Sequence, residues 1–305
     1  MSEANTVLGI DMGGTGIKSA SLRFPDGQCL HQKIAPTRDG ETVDGVPAFV
    51  AEISQLITWH EAELGHPLRY IGLSAPGLAN RAGDAIAFMP GRLHGLERLV
   101  WRDALQRSFP VPVINDGHAA LLGEIWLGAA NGLDDVVMYT LGTGVGGAIV
   151  CDGKLLRGRF GRAGHLGHST VNFEGTPDIC GTPGSIEDAI GEATVRSRSN
   201  GQFPSTKALV EAYADGNPIA TDLWLTSLRA LAASIVSIIN AVDPEAVVIG
   251  GGITSAGSHL FDPLNALIDK REWRPADART RICKATLGTW AGAYGAAYGA
   301  WRDLG

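Results

Sequence analysis

Short apolar runs that end in glycines recur three times along the chain. Residues 7–20 begin with an apolar run and turn through glycines into a second apolar run, and residues 136–150 repeat this pattern. Two apolar runs around a short glycine cluster are typical of a β-hairpin, so both segments are predicted to be hairpins. Residues 244–252 form a third apolar run that empties into glycines.

The turns of the two hairpins have the chemistry of an anion site. Glycine has no Cβ, so its backbone can approach a ligand closely and its N–H groups can converge on a phosphate. The Thr143 hydroxyl adds a donor to the second turn. No lysine follows this turn and a strand comes after it, so it is neither a Walker A loop nor a dinucleotide-binding motif. A hairpin without a ligand is the alternative for one turn alone, but three such segments suggest two related halves that bind a nucleotide.

Helical periodicity alternates with short buried strands between these segments. Residues 46–64, 99–109 and 119–127 are predicted to be helices, and residues 70–74 and 111–114 are predicted to be strands. Both strands end in loops that carry polar or flexible residues, which is where open α/β sheets bind ligands. Strands that alternate with helices, together with hairpins, predict an α/β fold.

Three later segments stand out. Residues 228–242 carry one apolar stripe at helical spacing, and residues 290–301 are so rich in Ala and Gly that the helix they form is predicted to pack closely. Residues 158–191 are rich in Gly, His and Pro without periodicity. A long irregular segment in a compact domain is usually functional or disordered, and its specific polar residues favour function.

Composition narrows the class of protein. The chain has 305 residues, of which 45% are hydrophobic and 19% charged, an ordinary globular composition. The net charge of -7, without a basic run, argues against nucleic acid or an anionic membrane as partner. We expect no signal peptide, because a polar start leads directly into a strand, and no stretch of membrane-spanning length. Four scattered cysteines without a CxxC pair fit a reduced, cytoplasmic location.

Five motifs, in this order, resemble those of the ROK family of sugar kinases, which share the duplicated actin/hexokinase (ribonuclease H-like) fold. They are a first phosphate motif at Asp11-x-Gly-Gly-Thr, a catalytic pair at Asn115-Asp116, a second phosphate motif at Leu141-Gly-Thr-Gly, a sugar- and zinc-binding segment from Gly164 to Glu187, and an adenosine loop at Val248-Ile-Gly-Gly-Gly. The resemblance covers nearly the whole chain. It implies two domains around a central cleft. The layout of the motifs places the boundary at the strand end before Asn115, which gives a small domain at 1–114, with the C-terminal helix 289–305 packed on it, and a large domain at 115–288.

The resemblance implies a homodimeric kinase that phosphorylates a hydroxyl of a hexose, amino sugar or related polyol with ATP and Mg²⁺. Phosphoryl transfer needs a carboxylate to take the hydroxyl proton, a role for Asp116, whereas Asp11 would hold Mg²⁺ through water. The simpler alternatives are an N-cap for Asp116 and a turn-forming role for Asp11. The remaining nucleotide-binding residues are Gly13, Gly14, Thr15, Lys18, Gly142, Thr143, Gly144, Gly250, Gly251 and Gly252. The hydroxyl-binding residues are Gly77, Asn115, Asp116, His165, His168 and Glu187.

Two positions depart from the family pattern. In the family, the position of His165 is a glutamate that binds sugar hydroxyls, so an imidazole replaces a side chain that only accepts hydrogen bonds. The alternative is that His165 does not bind the sugar and only packs the loop. The family zinc site uses the histidine at 168 and three cysteines, at positions occupied here by Asp178, Cys180 and Ser185. Because one cysteine of three remains, we expect no structural zinc.

Three other functions compete with the ATP-dependent kinase. ROK transcriptional regulators carry a helix-turn-helix ahead of the first phosphate motif, but here that motif begins at Val7 and the net charge is acidic. A catalytically idle sugar-binding protein is disfavoured because both Asp11 and Asp116 are present. A kinase that uses polyphosphate as donor is disfavoured by the three glycines at 250–252.

Overall fold

The computed structural model describes residues 5–304, which fall into two compact units. Unit 1 comprises the described residues of Met1–Gly132, Arg157–Ala163 and Thr286–Gly305, and unit 2 comprises Leu133–Leu156 and Gly164–Ala285. The division thus falls at Gly132, whereas the motif layout placed it after residue 114. The reason is packing, because the helix that begins at Asp116 lies against the C-terminal helix in unit 1.

The strands and helices are numbered along the chain. The strands are β1 Thr6–Met12, β2 Gly16–Arg23, β3 Cys29–Pro36, β4 Thr42–Val43, β5 Val46–Pro47, β6 Tyr70–Ala75, β7 Leu78–Ala79, β8 Ile86–Phe88, β9 Val113–Asn115, β10 Val136–Leu141, β11 Val145–Cys151, β12 Lys154–Leu155, β13 Ala246–Gly250 and β14 Arg281–Lys284. The α-helices are α1 Ala48–Leu64, α2 Trp101–Ala104, α3 Asp116–Leu127, α4 Ile186–Ile190, α5 Val195–Arg198, α6 Thr206–Ala214, α7 Pro218–Val242, α8 Ser258–Asp269 and α9 Ala291–Leu304.

The main sheet of unit 1 has the order β3-β2-β1-β6-β9. Strand β1 is antiparallel to β2 and parallel to β6, which is parallel to β9. Both faces of β1 are covered, since Leu8 and Ile10 pack with Ile53 of α1 and Val7 packs with Ala293 of α9. Burial on both faces explains why β1 is a nearly continuous apolar run without alternation.

Unit 2 repeats this topology. Its sheet has the order β12-β11-β10-β13-β14, in which β10 and β11 are antiparallel and β13 is parallel to both β10 and β14. Each strand therefore matches the strand at the same place in unit 1. Asp11 of β1 pairs with Ser74 across the parallel ladder, and Thr140 of β10 pairs with Gly250 in the same way. The two related halves expected from the hairpins are confirmed.

Close approach of backbone explains the composition of α9. A Cβ atom at Gly9 would lie 1.8 Å from the carbonyl oxygen of Ala293, and one at Gly295 would lie 1.6 Å from the carbonyl oxygen of Ala119. Glycines at these contacts therefore let α9 touch both β1 and α3. The prediction that the Ala- and Gly-rich helix packs closely is confirmed.

Helix α7 contradicts the expectation that no apolar stretch reaches membrane-spanning length. Its 25 residues are long and apolar enough to cross a membrane by length and composition. Leu228, Leu231 and Ile235 of its predicted stripe are buried in the core of unit 2, where they cluster with Tyr139 of β10. The Tyr139 hydroxyl is hydrogen-bonded to Ser234 Oγ of the same helix at 2.8 Å. This burial accounts for the apolar character of these three positions, whereas Ile238 and Val242 of the same stripe are half-buried.

The structure shortens one predicted helix. Only Trp101–Ala104 of residues 99–109 is α-helical, because Gln106 adopts a left-handed conformation with φ of 52°. A non-glycine residue in that region interrupts the helix. Residues 158–191 were expected to be irregular. This holds for residues 158–185 apart from a 3₁₀ turn at Leu166–His168, but Ile186–Ile190 form α4, which Ser185 caps.

Candidate active site

A carboxylate lies at the end of β1 in unit 1. Asp11 faces Ser74 of the neighbouring parallel strand, and the Ser74 hydroxyl donates to Asp11 Oδ1 at 2.8 Å. Lys18 lies opposite Asp11 on β2. Burial raises the pKa of Asp11 to about 6; the bond from Ser74 and the charge of Lys18 oppose this rise, and the charge of Asp116 adds to it. Asp11 and Asp116 are therefore close enough to repel each other, as two carboxylates that share a cation would do.

Helix α9 forms one wall of the Asp11 site. A Cβ atom at Gly292 would lie 2.6 Å from Asp11 Oδ1, so only glycine at this position leaves room for the carboxylate. Gly292 was not among the predicted site residues. Its signal is present in the run of small residues in α9, but nothing in that run shows which strand end it meets.

Asn115 and Asp116 divide their tasks at the start of α3. The Asn115 side chain is the N-cap, because its Oδ1 accepts from the N–H groups of Gly117 and His118. Its Nδ2 donates to the carbonyl oxygen of Gly77 at 2.9 Å. Asp116 is the first residue of the helix and its side chain is exposed. The alternative that Asp116 serves as the N-cap is therefore wrong.

The glycine turn of unit 1 is held from outside. The N–H of Gly13 donates to the carbonyl oxygen of Gly16 at 2.9 Å, and the Thr37 hydroxyl donates to the carbonyl oxygen of Gly13 at 2.7 Å. Within residues 5–304, the N–H groups of Gly14 and Thr15 have no acceptor. Two adjacent open N–H groups form the anion-binding concavity that the sequence predicted.

The turn of unit 2 has the same construction. The N–H of Gly142 donates to the carbonyl oxygen of Gly144 at 2.9 Å, and the N–H groups of Thr143 and Gly144 find no acceptor in the described part of the chain. In both turns, the two residues directly after the first glycine thus have N–H groups that are available to a ligand.

A cavity of about 860 Å³ in unit 2 adjoins this turn. Gly142 and Thr143 line it together with Gly252 from the loop after β13, so two of the predicted nucleotide motifs meet there. Val210 of α6 and Ile253 add apolar walls. Such a cavity suits a flat heterocycle, with the phosphate chain at the turn. The contribution of α6 was not predicted, because nothing in the amphipathic pattern of this helix distinguishes a pocket wall from core.

Glu187 is positioned by the second glycine turn. Its Oε2 accepts from the N–H of Val145 at 2.9 Å. A Cβ atom at Gly144 would lie 2.2 Å from the same oxygen, so the glycine is required for this contact. Gly167 brings the 3₁₀ turn Leu166–His168 onto β11 in the same way, since its Cβ would lie 1.8 Å from the carbonyl oxygen of Val145. His165, His168 and Glu187 are therefore all supported by the second hairpin.

The loop that would hold zinc is organised around Asp178. The His168 Nδ1 and Asp178 Oδ2 are hydrogen-bonded at 2.8 Å, and the N–H groups of Cys180 and Thr182 donate to Asp178 Oδ1. Burial alone would raise the pKa of Asp178, but the hydrogen bonds from His168, Thr182, Ser185 and Cys180 together lower it below the ordinary value. Asp178 is thus a stable carboxylate that binds the loop together.

These residues do not fit a closed structural zinc site. The ligand atoms of His168, Asp178 and Cys180 lie within 4.8 Å of one another. The fourth position is Ser185, a neutral hydroxyl that accepts from the N–H of Asp188 as the N-cap of α4. Structural zinc takes four closed ligands, mostly thiolate and imidazole.

We predict that the purified protein holds no tightly bound zinc, because hydrogen bonds to Asp178 take the place of metal bonds. Elemental analysis after dialysis against a chelator should return far less than one zinc per chain, with an unchanged melting temperature. Asp178→Ala should lower that temperature, since it leaves two N–H donors without their acceptor. One zinc per chain that survives the chelator would contradict this prediction.

The predicted site residues divide between the two units. Unit 1 contains Asp11, Gly13, Gly14, Thr15, Lys18, Gly77, Asn115 and Asp116, and unit 2 contains Gly142, Thr143, Gly144, His165, His168, Glu187, Gly250, Gly251 and Gly252. Gly250 and Gly251 do not line the cavity of unit 2. Gly251 has a φ of 88° and its Cβ would lie 2.2 Å from the carbonyl oxygen of Leu141, so its role is to let the loop pass β10.

Two sheets of equal topology, each with a glycine turn after its first strand, define the duplicated α/β fold of actin and hexokinase. The profile of the ROK family matches residues 7–302, and the chain belongs to this family. It is 33% identical over 278 residues to a glucokinase of Thermotoga maritima. These aligned residues cover 85% of each protein. It is 30% identical over 259 residues to an N-acetylmannosamine kinase of Escherichia fergusonii, with 84% of this chain and 86% of that protein covered. The solved structure of a ROK family glucokinase from Streptomyces griseus in complex with glucose and AMPPNP has a TM-score of 0.76 at 28% identity, covering 97% of this chain and 99% of that one.

Proposed function

We propose that the protein is an ATP-dependent sugar kinase that phosphorylates a hydroxyl of a hexose, amino sugar or related polyol. The observation that carries the proposal is the division of tasks between Asn115 and Asp116. Because Asn115 caps α3, the Asp116 carboxylate is left exposed, and it lies near enough to Asp11 to raise the pKa of that residue. The glucokinase and N-acetylmannosamine kinase relatives support a sugar as the acceptor.

Asp116 acts as the general base in this proposal. Its carboxylate accepts the proton of the attacking sugar hydroxyl while that oxygen forms its bond to the γ-phosphorus of ATP. The bond from the γ-phosphorus to the bridging oxygen of ADP breaks in the same displacement. The resemblance to ROK kinases assigns hydrogen bonds with the other hydroxyls to Asn115, His168 and Glu187.

Asp11 fits the role of a Mg²⁺-binding residue. It is a half-buried carboxylate with a second carboxylate nearby, an arrangement that a divalent cation relieves. Mg²⁺ would supply charge neutralisation of the phosphate oxygens when bound. Ser74 and Gly292 keep the Asp11 carboxylate in place, and Lys18 adds a positive charge beside it.

ATP is the proposed donor. The cavity of unit 2 has the size and walls for a purine, and the Streptomyces griseus relative binds AMPPNP. Polyphosphate is the competing donor, and it would leave that cavity without a role. A direct comparison of ATP with polyphosphate as phosphoryl donor separates the two.

The test is a coupled assay of ADP release with Mg-ATP over hexoses, N-acylated amino sugars, pentoses and cyclitols. We expect sugar-dependent ADP release with at least one member of this panel. A protein that binds a sugar by calorimetry and never releases ADP would be the idle sugar-binding protein instead.

His165 is expected to make glucose a mediocre substrate. A glutamate accepts two hydrogen bonds and donates none, whereas a neutral histidine offers one donor and one acceptor. Glucose would face a poorer acceptor at a cost of about 1–3 kcal/mol. The site should therefore prefer a ring that presents an acceptor there, such as a carbonyl, an acyl group or an anionic group.

His165→Glu should raise kcat/KM for glucose relative to the best substrate of the panel. The measurement is the ratio of the two kcat/KM values in the wild type and the variant, with His165→Gln as the neutral control. If the wild type phosphorylates glucose efficiently and His165→Glu changes only the melting temperature, His165 merely packs the loop.

A homodimer and a cytoplasmic location are part of the same proposal. The resemblance to ROK kinases supports the homodimer, and four scattered cysteines without a CxxC pair support the cytoplasmic location. Sedimentation of the purified protein tests the dimer.

A further inference from the structure

One arginine lies over the glycine turn of unit 1. A Cβ atom built on Gly14 would point into open space except for the Arg92 guanidinium, whose Nη1 lies 3.8 Å away. The neighbouring N–H groups of Gly14 and Thr15 are the two donors that the turn leaves open. A guanidinium and two backbone donors at one turn form a set that matches a phosphate group.

The Arg92 side chain has no protein partner to explain its position. It is exposed, and among residues 5–304 it has neither a hydrogen bond nor an ion pair. Other arginines of unit 1 do have one, as Arg38 has with Glu41 and Arg107 with Glu61. All five donors of Arg92 are therefore available to a ligand.

The backbone that carries Arg92 is held firmly. The next residue, Leu93, is buried and has a φ of 54°, a conformation that a leucine keeps only when its surroundings impose it. Its N–H donates to Asp39 Oδ2 at 3.0 Å, and its carbonyl oxygen accepts from the N–H of Leu96. A fixed backbone thus presents a free cation to a phosphate turn, and backbone strain of this kind tends to lie at functional sites.

We propose that Arg92 binds the terminal phosphate of the nucleotide donor at the glycine turn of unit 1. This inference rests on the proposed kinase function. The guanidinium donates to oxygens of the phosphoryl group that is transferred, while the N–H groups of Gly14 and Thr15 donate to the same phosphate. Arg92 neutralises charge and orients the group; it takes no proton and forms no covalent bond.

The experiment compares the binding of AMPPNP and ADP, because only AMPPNP carries the terminal phosphate. Calorimetry on Arg92→Met should show a Kd for AMPPNP raised on the order of 10- to 100-fold, the loss of a charge-assisted hydrogen bond. The Kd for ADP should rise less than about threefold, since its charges lie farther away and are screened. Arg92→Lys keeps the charge but not the planar guanidinium, so its Kd for AMPPNP should lie between those of the wild type and Arg92→Met.

Arg69→Met is the matched control. Arg69 is also exposed and without a partner within the described residues, but it precedes β6 at the end of the sheet opposite to the glycine turn. It should change neither Kd. In turnover, Arg92→Met should lower kcat, and added guanidinium ion should restore part of it, which a merely structural role would not allow.

The outcomes separate this inference from the kinase proposal. If the wild type turns over ATP and Arg92→Met binds AMPPNP as the wild type does, Arg92 has no phosphate role. Equal weakening of AMPPNP and ADP would also overturn it, because the effect would not belong to the terminal phosphate. If the wild type releases no ADP with any sugar, the kinase proposal fails, and the difference between AMPPNP and ADP still decides the role of Arg92.

Discussion

Replacement of Asp116 by asparagine is expected to lower kcat by a factor on the order of 10²–10⁴, the span for loss of a positioned general base. The change keeps the size and polarity of the side chain and removes the proton acceptor. Because Asn115 carries the N-cap and Asp116 is exposed, the fold should tolerate the change. Sugar affinity, measured by calorimetry, should change far less than kcat.

Asp103→Asn is the control for this variant. Asp103 is an exposed aspartate of unit 1 that pairs only with the exposed Arg102 beside it, among the residues described, so its replacement should leave kcat unchanged. A near-normal kcat for Asp116→Asn, with the sugar bound as in the wild type, would remove Asp116 from the role of base. A lowered melting temperature together with lost sugar binding would indicate a structural role instead.

Local patterns were sufficient to predict the strands that matter most. The two hairpins begin and end close to the predicted residues, because β-rich runs around glycine clusters have few other structures available. The equal order of strands in the two sheets follows from this repetition. Asn115 and Asp116 were also placed correctly at a strand end, because the apolar run of a buried strand stops where the next loop or helix begins.

Long-range contacts could not be predicted from local patterns. Gly292 contacts Asp11 although the two residues lie near opposite ends of the sequence. The 157–163 segment belongs to unit 1, where the carbonyl oxygen of Ala163 is hydrogen-bonded to His118 Nε2 at 2.9 Å. Neither contact has a periodicity. The short α2 likewise depends on one backbone torsion, at Gln106, that hydrophobic spacing does not reveal.

Arg92 shows the same limit from another side. Its segment has no motif, and an exposed arginine in a loop is ordinary. The guanidinium lies beside Gly14 on a backbone that turns left-handed at Leu93, and no local pattern reveals that turn. The sequence therefore predicted the phosphate turn and not the side chain that lies over it.

Asp11→Asn is expected to lower kcat while it stabilises the protein. The loss in kcat should be on the order of 10²–10³, the usual cost of removing one electrostatic contributor from a site of this kind. Stability should move in the opposite direction. Burial raises the pKa of Asp11 from 3.8 to about 6, so the folded protein holds this proton more tightly than the unfolded chain does.

The sign of the pH dependence follows from that difference. Above pH 6 the carboxylate is charged in both states, and the folded state carries the cost of its burial. As the pH falls through 6 towards 3.8, the folded state takes up the proton first and that cost disappears. Asparagine carries no charge at any pH, so Asp11→Asn removes the cost altogether. At pH 8 without Mg²⁺, the variant should be more stable by about 1–3 kcal/mol, and this advantage should shrink as the pH approaches 4.

Chemical denaturation at pH 8 and pH 4 in a chelating buffer measures both values. Ser74→Ala is the matched variant, because it removes the hydrogen bond that lowers the pKa of Asp11 and leaves the carboxylate in place. It should destabilise the protein more at pH 8 than at pH 4, the reverse of Asp11→Asn. An inactive Asp11→Asn that is also less stable at pH 8 would mean that Asp11 holds the turn together. Its low activity would then report a damaged site and not the loss of a charge that the site keeps at the expense of stability.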